Sequence, residues 1–505
     1  WTLDNIFSYK RTFGKHGLGV TLVAGRRELN FEATRAEGSN FNNLLLSYND
    51  LSLGAIQTIR SSGWDESYVY QMARVEYEFN YKYLITATIR RDGFSGFSEN
   101  NKASTFPSIG FGWILSEESF MESDLIQNLK IRGSYGNNGN LVNRYSSLAR
   151  VNQYPAYVFG DGGSPAFGQE VTSLANADLS WETTIGFNFG LDFSILSNRI
   201  SGSVDYYTTK TNDLIFDVNI PEISGFDQIT TNVGQVNNKG LELILNTKIV
   251  EQEKFSWNIN LNFSSNNNEI VSLIGLDADG DGIEDDLIAS ELFIGESINS
   301  IYDYETSGMI QLGDEVPTGF FEGTYRIVDQ NGDDFIDPLD RVIRGREEPA
   351  YRFGILNELG YGNFTFRFFI NSIQGGRDGY RMINMPLIGN PENGLRNNLW
   401  KEVDYWTPAN PNARFTRLDQ TAATVYNFLD NRSFVRLQDI SLSYNFSTDL
   451  LQKIGFRSGK IFISGKNLIT WTDFTGWDPE TGNGLSVEDT RPLLRGYSIG
   501  LDFSF

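Results

Sequence analysis

The chain has 505 residues, of which 40% are hydrophobic and 14% aromatic, and its formal net charge is −23. This charge argues against a nucleic-acid partner, because phosphate binding needs a basic stripe and the sequence contains none. Cysteine is absent, which excludes disulfides, thiolate catalysis and cysteine-ligated zinc. No segment reaches about eighteen consecutive apolar residues, so no helical membrane span is predicted.

Alternation of apolar and polar residues predicts β-strands along the whole chain. In chain order these are 3–13, 18–31, 67–81, 84–92, 106–115, 129–135, 181–195, 200–214, 240–250, 255–270, 350–360, 364–373, 434–446, 460–471 and 496–505. In the clearest of them, Trp181, Phe187, Phe189 and every second residue through Ile195 share one parity, with small polar residues on the other. A strand needs only about 9 to 11 residues to cross a bilayer. We therefore expect the apolar parity to face lipid and the polar parity to face a lumen.

The connections between these strands alternate in length. Tight turns are predicted at 14–17, 80–83, 197–199, 251–254 and 360–363, and long links at 37–66, 137–180, 276–349 and 374–432. Short turns at one end and long loops at the other are typical of outer-membrane barrels. The pattern predicts an all-β protein with a transmembrane antiparallel β-barrel and long extracellular loops. A soluble protein built of several β-sandwiches is the alternative.

The strand count is odd, although closed bacterial barrels have even numbers of strands. Unpaired edges of this length would be a pairing hazard, so further strands are expected before residue 1. The first residue is Trp1, with no initiator methionine or signal peptide ahead of it. Residues 1–505 are therefore interpreted as one region of a longer chain.

An acidic segment between the tenth and eleventh predicted strands matches a calcium-binding loop. Oxygen donors fall at positions 1, 3, 5, 7, 9 and 12 of an EF-hand pattern, the seventh being a backbone carbonyl. These positions are Asp329, Asn331, Asp333, Phe335, Asp337 and Asp340. Two departures weaken the match, because position 6 is Asp334 instead of glycine and position 12 is aspartate instead of glutamate. We predict a bound Ca²⁺, with a metal-free acidic turn as the alternative.

A second acidic loop carries the same pattern less completely. Its donors are Asp277, Asp279, Asp281, Ile283 through its carbonyl, and Asp285. Position 6 is glycine here, but position 12 is Ile288, so another segment or water would have to complete the coordination shell.

Catalytic residues are not predicted, and the chain is not expected to be an enzyme. His16 is the only histidine and lies in a tight turn, where a solvated side chain is expected instead of a general base. Glu117 and Glu118 follow Ser116 and fit the start of a helical turn better than an acid/base pair. No glycine-rich loop followed by Lys and Ser or Thr is present for phosphate binding.

Several segments resemble one family, the SusC/RagA group of TonB-dependent outer-membrane transporters of Bacteroidetes. They are ATIRRDG at 87–93, ENNK at 99–102, FPS at 106–108, GW at 112–113, SEESFM at 116–121, LKIRGSYG at 129–136, GN at 139–140, WETT at 181–184, GLD at 190–192, DYY at 205–207, NVG at 232–234, NKG at 238–240, WTP at 406–408, GKNL at 465–468 and GWDPE at 476–480. The resemblance covers nearly the whole chain.

The resemblance implies a twenty-two-stranded barrel with a plugged lumen, of which this chain would supply about the last fifteen strands. The plug, the TonB-binding segment and the first strands would lie upstream. The implied function is TonB-dependent import of oligosaccharides, or oligopeptides, across the outer membrane with a SusD-like surface lipoprotein as a lid. In this family the calcium of such acidic loops is structural.

Aromatic residues of the long loops are suited to stack on sugar rings. They are Tyr154, Tyr157, Phe159, Phe226, Tyr380, Trp400, Tyr405 and Trp406. Packing within the loops and contact with the lid protein are equally open roles for them. Two other functions stay open as well: a siderophore, cobalamin or signalling receptor on the same barrel, and a calcium-stabilised surface adhesin.

Overall fold

The structure is a computed structural model that describes residues 1–505 except 44, 46, 153–155, 159–165, 279, 377–379, 382–403, 418–421, 425, 427–428, 453–454, 475–477 and 481–492. Strands account for most of it. Its described α-helix, Thr448–Gln452, has five residues, and short 3₁₀ turns include Leu115–Glu117 and Ser119–Met121. In the described ranges, no helix has the length and apolarity that a membrane span requires.

The strands, in chain order, are β1 Thr2–Phe13, β2 His16–Phe41, β3 Gly54–Phe79, β4 Tyr83–Phe94, β5 Ala103–Ile114, β6 Ile126–Asn140, β7 Arg150–Asn152, β8 Ala156–Tyr157, β9 Ala166–Phe167, β10 Glu170–Ser173, β11 Glu182–Ile195, β12 Ile200–Asn219, β13 Gln228–Glu251, β14 Phe255–Ser272, β15 Ser300–Tyr304, β16 Thr306–Met309, β17 Tyr325–Ile327, β18 Arg341–Arg346, β19 Pro349–Tyr361, β20 Phe364–Gly376, β21 Tyr380–Arg381, β22 Leu429–Asp430, β23 Phe434–Asn445, β24 Ser458–Trp471 and β25 Gly496–Ser504.

Fifteen of these described strands form one sheet, in the order β1-β2-β3-β4-β5-β6-β11-β12-β13-β14-β19-β20-β23-β24-β25. Each of the fifteen corresponds to one predicted strand, so the all-β prediction is confirmed. The predicted tight turns are confirmed too, since β1 ends at Phe13 and β2 begins at His16. Gly14 makes this turn possible, because its φ of +59° is a left-handed conformation that glycine adopts without steric cost.

The prediction of a long loop at 37–66 is wrong. Strand β2 continues to Phe41 and β3 starts at Gly54, and the two stay in register out to Ser39 and Ile56. The alternation that marks a membrane strand disappears after residue 31 because both faces of this outer hairpin are exposed to water. Backbone pairing persists there without a hydrophobic pattern to reveal it.

The other long connections contain small sheets of their own. Strands β7 and β10 pair within 137–180, and β15 pairs with β18 within 276–349. The same link holds the β16–β17 hairpin. A hydrophobic cluster of Tyr304, Ile310, Phe320 and Ile327 lies beside these strands. The 276–349 connection is therefore folded around a core of its own.

The chain divides into two compact units, one of residues 1–114, 132–188 and 209–235, and one of residues 115–131, 189–208 and 236–505. The first unit has an aromatic core around Phe94, Phe97, Phe106 and Trp181. The second contains the fully buried Arg436 and the loop cluster around Ile310.

Candidate functional site

The acidic loop 329–340 folds back onto its first carboxylate. Asp329 Oδ1 accepts a hydrogen bond from the backbone N–H of Gly332 at 2.6 Å, and its Oδ2 accepts one from Asp334 at 2.9 Å. Asp334 has a φ of +64°, so it takes up at position 6 the left-handed conformation that glycine provides in an EF-hand. Asp334 therefore adopts the backbone conformation that position 6 requires, although it is not glycine.

The last carboxylate of the same loop ties its two ends together. Asp340 is completely buried, and its Oδ1 and Oδ2 accept hydrogen bonds from the backbone N–H groups of Gln330 and Asp337, at 2.8 and 2.9 Å. Ile336, at position 8, packs against the hydrophobic cluster around Ile310. The loop is thus anchored to the core of the long connection.

The electrostatics of the loop favour an ionised first carboxylate. Desolvation raises the pKa of Asp329, but the backbone N–H groups of Asp334 and Gly332 outweigh it, and the pKa lies below its ordinary value. Among the described residues, no three Asp, Glu or His side chains converge as a metal site. Carboxylate and carbonyl oxygens are the ligand type that Ca²⁺ prefers. In this structure the carboxylates of Asp329 and Asp333 accept hydrogen bonds from backbone N–H groups of the same loop. Calcium stays a prediction.

The second acidic loop has the same local geometry. Asp277 accepts hydrogen bonds from the N–H groups of Gly280 at 2.7 Å and Gly282 at 3.1 Å, the same two positions as in the first loop. Asp281 accepts from Ile283 at 2.7 Å, and Asp285 from Ala278 at 2.7 Å. Asp279 lies outside the described residues. Ile288 starts a 3₁₀ turn and brings no oxygen ligand to position 12 from its side chain.

The predicted sugar-stacking aromatics are described only in part. Tyr154, Phe159 and Trp400 lie outside the described residues, and of Tyr157 and Tyr380 only the backbone is described. Phe226 is half-buried in the connection between β12 and β13, and Tyr405 is 40% exposed. Of the set, Tyr405 is the residue whose described ring is open to solvent.

Trp406 packs inside the folded loops. It is 3% exposed, and its Nε1 donates a hydrogen bond to Gln311 Oε1 at 3.2 Å. Gly323 makes room for the indole, because a Cβ there would collide with the ring. The guanidinium of Arg417 lies 5.8 Å from the ring centroid. Of the roles left open by the sequence, loop packing fits this position.

His16, the only histidine, contacts Tyr77 at the turn that follows β1. Its Nδ1 lies 2.7 Å from the Tyr77 hydroxyl, and the side chain is exposed. No second acid or base is hydrogen-bonded to it among the described residues. His16 is the first residue of β2, directly after the two-residue turn at Gly14 and Lys15.

A recess of about 980 Å³ in the first unit was not predicted from the sequence. Its aromatic floor includes Trp181, which is 6% exposed and stacks on Phe97 at 4.6 Å between ring centroids. The expectation that Trp181 faces lipid with the rest of its parity is wrong, because β11 begins at Glu182 and the indole turns into this core. Gly139 permits the packing, since a Cβ there would collide with Phe106 and lie 2.8 Å from Trp181.

Three arginines lie along the wall of this recess. They are Arg27 on β2, Arg74 on β3 and Arg90 on β4. Arg90 is held by Asp92, with Nε 2.7 Å from Oδ2. Arg74 Nε donates to Thr88 Oγ1 at 3.2 Å, and the Arg27 guanidinium lies 5.8 Å from the Tyr68 ring centroid. With Asp92 as the acidic residue of the lining, the wall carries two more positive than negative charges.

Sequence reasoning missed this recess because its residues are scattered over six strands, β1 to β6, and the connections after β6. A signal did exist. Arg90 belongs to the ATIRRDG segment and Trp181 to the WETT segment, and antiparallel register places Arg90 opposite both Met72 and Phe106. Pairing the predicted strands in order would have brought these residues to one face.

Comparisons with known proteins identify relatives of the whole chain. A family model described as "TonB dependent receptor-like, beta-barrel" matches residues 1–468. "TonB-dependent receptor P3" of Formosa agariphila is 32% identical, with 99% of this chain and 52% of that protein aligned. "TonB-dependent receptor SusC" of Bacteroides thetaiotaomicron is 30% identical over 86% of this chain and 43% of its own length. The chain thus spans about half the length of the curated relatives it matches.

The fold is similar to that of a solved transporter. The structure described as "Structure of the RagAB peptide transporter" superposes with a TM-score of 0.79 at 24% identity, covering 100% of this chain and 55% of that one. A second structure, of the RagAB peptide importer in an "open-open" state, gives a TM-score of 0.78 at 24% identity over 100% of this chain and 54% of that one. At this identity the similarity concerns the fold.

Proposed function

Because the chain belongs to the TonB-dependent receptor-like β-barrel family, and so to a protein of the outer membrane, we propose that it forms the C-terminal barrel region of a TonB-dependent importer. The observation that carries this proposal is the fifteen-stranded sheet, which the family model covers to residue 468. The plug and the remaining strands belong, in this proposal, to the upstream part of a longer chain. TonB would supply the energy for uphill transport.

The proposed cargo is an oligosaccharide, captured with a SusD-like surface lipoprotein that closes over the extracellular loops. The similarity to SusC, at 30% identity, supports proposing this partner. The aromatic side chains and the amide groups that line the recess support a saccharide as the cargo. Aromatic rings stack on the faces of sugar rings, and amide groups form hydrogen bonds with sugar hydroxyls. Peptides, the cargo named for RagAB, are the alternative.

Calcium in this proposal is structural. Asp329, Asn331, Asp333, Asp337, Asp340 and the Phe335 carbonyl would hold one ion, and Asp277, Asp281, Asp285 and the Ile283 carbonyl are the described donors for a second. The ion would supply positive charge that binds the carboxylates of one loop together. Both loops lie in the connection between β14 and β19, which this proposal places on the extracellular side.

The test uses the full-length protein expressed with its lipoprotein in cells with and without TonB. We expect the two proteins to copurify and a fluorescent oligosaccharide to enter the periplasm only when TonB is present. Equal uptake without TonB would refute active transport. Copurified siderophore, with no lipoprotein, would point to the receptor alternative, and solubility without detergent would point to the adhesin.

A further inference from the structure

We propose that the recess formed by β1 to β6 and by Trp181, just before β11, binds the carboxylate or sulfate groups of an acidic oligosaccharide. This inference rests on the proposed saccharide import and specifies the chemistry of the cargo. The recess has a volume of about 980 Å³, which is large enough for several sugar rings.

Two polar atoms in the lining lack a partner. The indole Nε1 of Trp181 and the amide Oδ1 of Asn137 are buried and have no hydrogen-bond partner among the described residues. Trp181 is 94% buried, given its 6% exposure, and both residues line the recess. A buried donor or acceptor that stays unsatisfied destabilises the folded state, so such atoms call for a ligand or an ordered water.

A sugar hydroxyl supplies what both atoms need. It donates one hydrogen bond, which suits the Asn137 oxygen, and accepts others, which suits the Trp181 N–H. The indole is held in place by its stacking on Phe97 and its edge contact with Phe106, at 4.6 and 5.5 Å between ring centroids. The donor is therefore fixed before a ligand arrives, which lowers the entropic cost of binding.

The charge of the wall selects an acidic sugar over a neutral one. The whole chain carries a formal charge of −23, whereas the recess lining has three arginines against one aspartate. Asp92 forms an ion pair with Arg90, whereas Arg27 and Arg74 form none with the described residues. A concave surface with an excess of positive charge concentrates anionic ligands. Guanidinium groups also bind carboxylate and sulfate oxygens with paired hydrogen bonds.

The arginines are spread along the direction of the strands. In the antiparallel register, Arg27 pairs with Tyr68, Arg90 with Met72 and Arg74 with Thr88. Tyr68 and Arg74 are therefore six residues apart on β3, which is about 20 Å at roughly 3.3 Å per residue. This spacing suits a chain of charged sugars lying along the wall and does not suit a single small anion.

The competing occupant is an acidic segment of the upstream part of the protein. Such a segment would neutralise Arg27 and Arg74 permanently, and the arginines would then stabilise the assembled barrel. The two occupants differ in what an arginine substitution changes: ligand affinity in one case, melting temperature in the other.

The experiment measures binding to the full-length protein in complex with its lipoprotein, by calorimetry in detergent. The probes are oligogalacturonate as the carboxylated saccharide, a sulfated carrageenan oligosaccharide, neutral maltoheptaose and oligoglutamate. We expect tight binding of at least one acidic saccharide. The Arg27→Gln, Arg74→Gln double variant should weaken it by about tenfold or more, since each charge-assisted hydrogen bond contributes strongly. Which of the two acidic saccharides binds distinguishes carboxylate from sulfate.

Two further variants separate a binding role from a structural one. Trp181→Phe keeps the ring in the core and removes the N–H, so it should weaken saccharide binding severalfold at an unchanged melting temperature. Lys248→Gln removes one exposed positive charge near the turn after β13 and should leave binding unchanged.

Two outcomes would overturn the inference. The first is that acidic saccharides bind no better than maltoheptaose. The second is that the double variant leaves affinity intact, whether or not it lowers the melting temperature. Equal or tighter binding of oligoglutamate would assign the recess to acidic peptides and overturn it as well. TonB-dependent uptake of maltoheptaose without any binding of the acidic probes would refute this inference and leave the proposed importer standing. Absence of TonB-dependent uptake for every probe would refute the importer itself.

Discussion

Arg436 is a buried arginine of the second unit that is paired with two carboxylates. Its side chain is fully buried on β23, and its Nη2 lies 2.7 Å from Asp478 Oδ2. A second ion pair joins it to Glu480, and its Nε donates to Thr470 Oγ1 at 2.9 Å. The GWDPE segment therefore supplies both carboxylates that balance one buried guanidinium. Removal of the cation would leave the nearly buried Asp478 unpaired.

We predict that Arg436→Met destabilises the protein by about 3–5 kcal/mol, the usual effect of breaking a buried ion pair from one side. The measurement is the unfolding midpoint in detergent, by heat or urea. Arg35→Met is the matched control, because Arg35 and Glu37 form an exposed pair on β2 with side-chain exposures of 78% and 57%. An exposed pair contributes about 0–1 kcal/mol, so equal effects of the two variants would contradict the prediction.

Asp404 clamps the loop that carries Trp406. Its Oδ1 accepts from the Asn410 side chain at 2.8 Å and its Oδ2 from the Arg414 N–H at 3.0 Å. The Asn410 bond and the Arg414 bond together lower the pKa of Asp404 below its ordinary value. A lowered carboxylate pKa gives stability that is present above the unfolded-state pKa and is lost as pH falls through the folded-state pKa.

We therefore expect hydrogen-exchange protection of residues 404–415 to be intact at pH 5 and to fall only below about pH 3.9, the unperturbed aspartate value. Asp404→Asn should lose protection at every pH. An amide is uncharged and has one acceptor oxygen, whereas each of the two carboxylate oxygens accepts one hydrogen bond. Loss of protection in the wild type already near pH 5 would show that another group controls this loop.

At the scale of elements, the two acidic loops form a natural comparison. In both loops the aspartate at position 1 accepts hydrogen bonds from the backbone N–H groups of positions 4 and 6. Only the loop at 329–340 has an oxygen-bearing side chain at position 12. Asp340 is buried and accepts hydrogen bonds from backbone N–H groups near both ends of its loop, which fixes the position of its carboxylate. We expect 329–340 to bind Ca²⁺ more tightly than 277–285.

The prediction is that Ca²⁺ raises the melting temperature by about 1–3 °C over chelator, because binding to the folded state alone stabilises it. Asp329→Ala with Asp333→Ala should abolish most of the shift, whereas Asp277→Ala should retain most of it. An identical melting temperature with calcium and with chelator in the wild type would remove structural calcium from the proposed function.

The same scale shows what the sequence could reveal. Alternation located all fifteen strands of the sheet, because membrane strands carry a hydrophobic face that repeats every two residues. It missed the outer half of the β2–β3 hairpin, where pairing continues without an apolar face. It also misplaced Trp181, since residue parity cannot detect that the strand starts one position later and that the indole turns into the core.

At the scale of the whole molecule, the first unit shows which sheet face is suited to lipid. On β4 and β5, Ile85, Ile89, Ile109 and Phe111 are 41%, 53%, 53% and 45% exposed. The opposite face carries Thr88, Arg90 and Ser108, which line the recess. For a family of outer-membrane barrels, the exposed apolar face meets hydrocarbon and the recess face meets the lumen. A charged side chain should therefore be destabilising on the apolar face and tolerated on the recess face.

The variants Ile89→Arg and Thr86→Arg test which face of β4 meets lipid. They place the same charged side chain on the two faces of one strand. Ile89 lies midway along β4, where arginine on the lipid face costs about 2–4 kcal/mol. Thr86, three residues earlier and on the opposite face, stands beside Glu76 of β3, so its arginine would face water and a carboxylate. We expect Ile89→Arg to lower the amount of heat-modifiable protein in the outer membrane and Thr86→Arg to leave it near the wild-type level. The reverse order would place the recess on the lipid side, and the recess could then not lie on the path of an imported ligand.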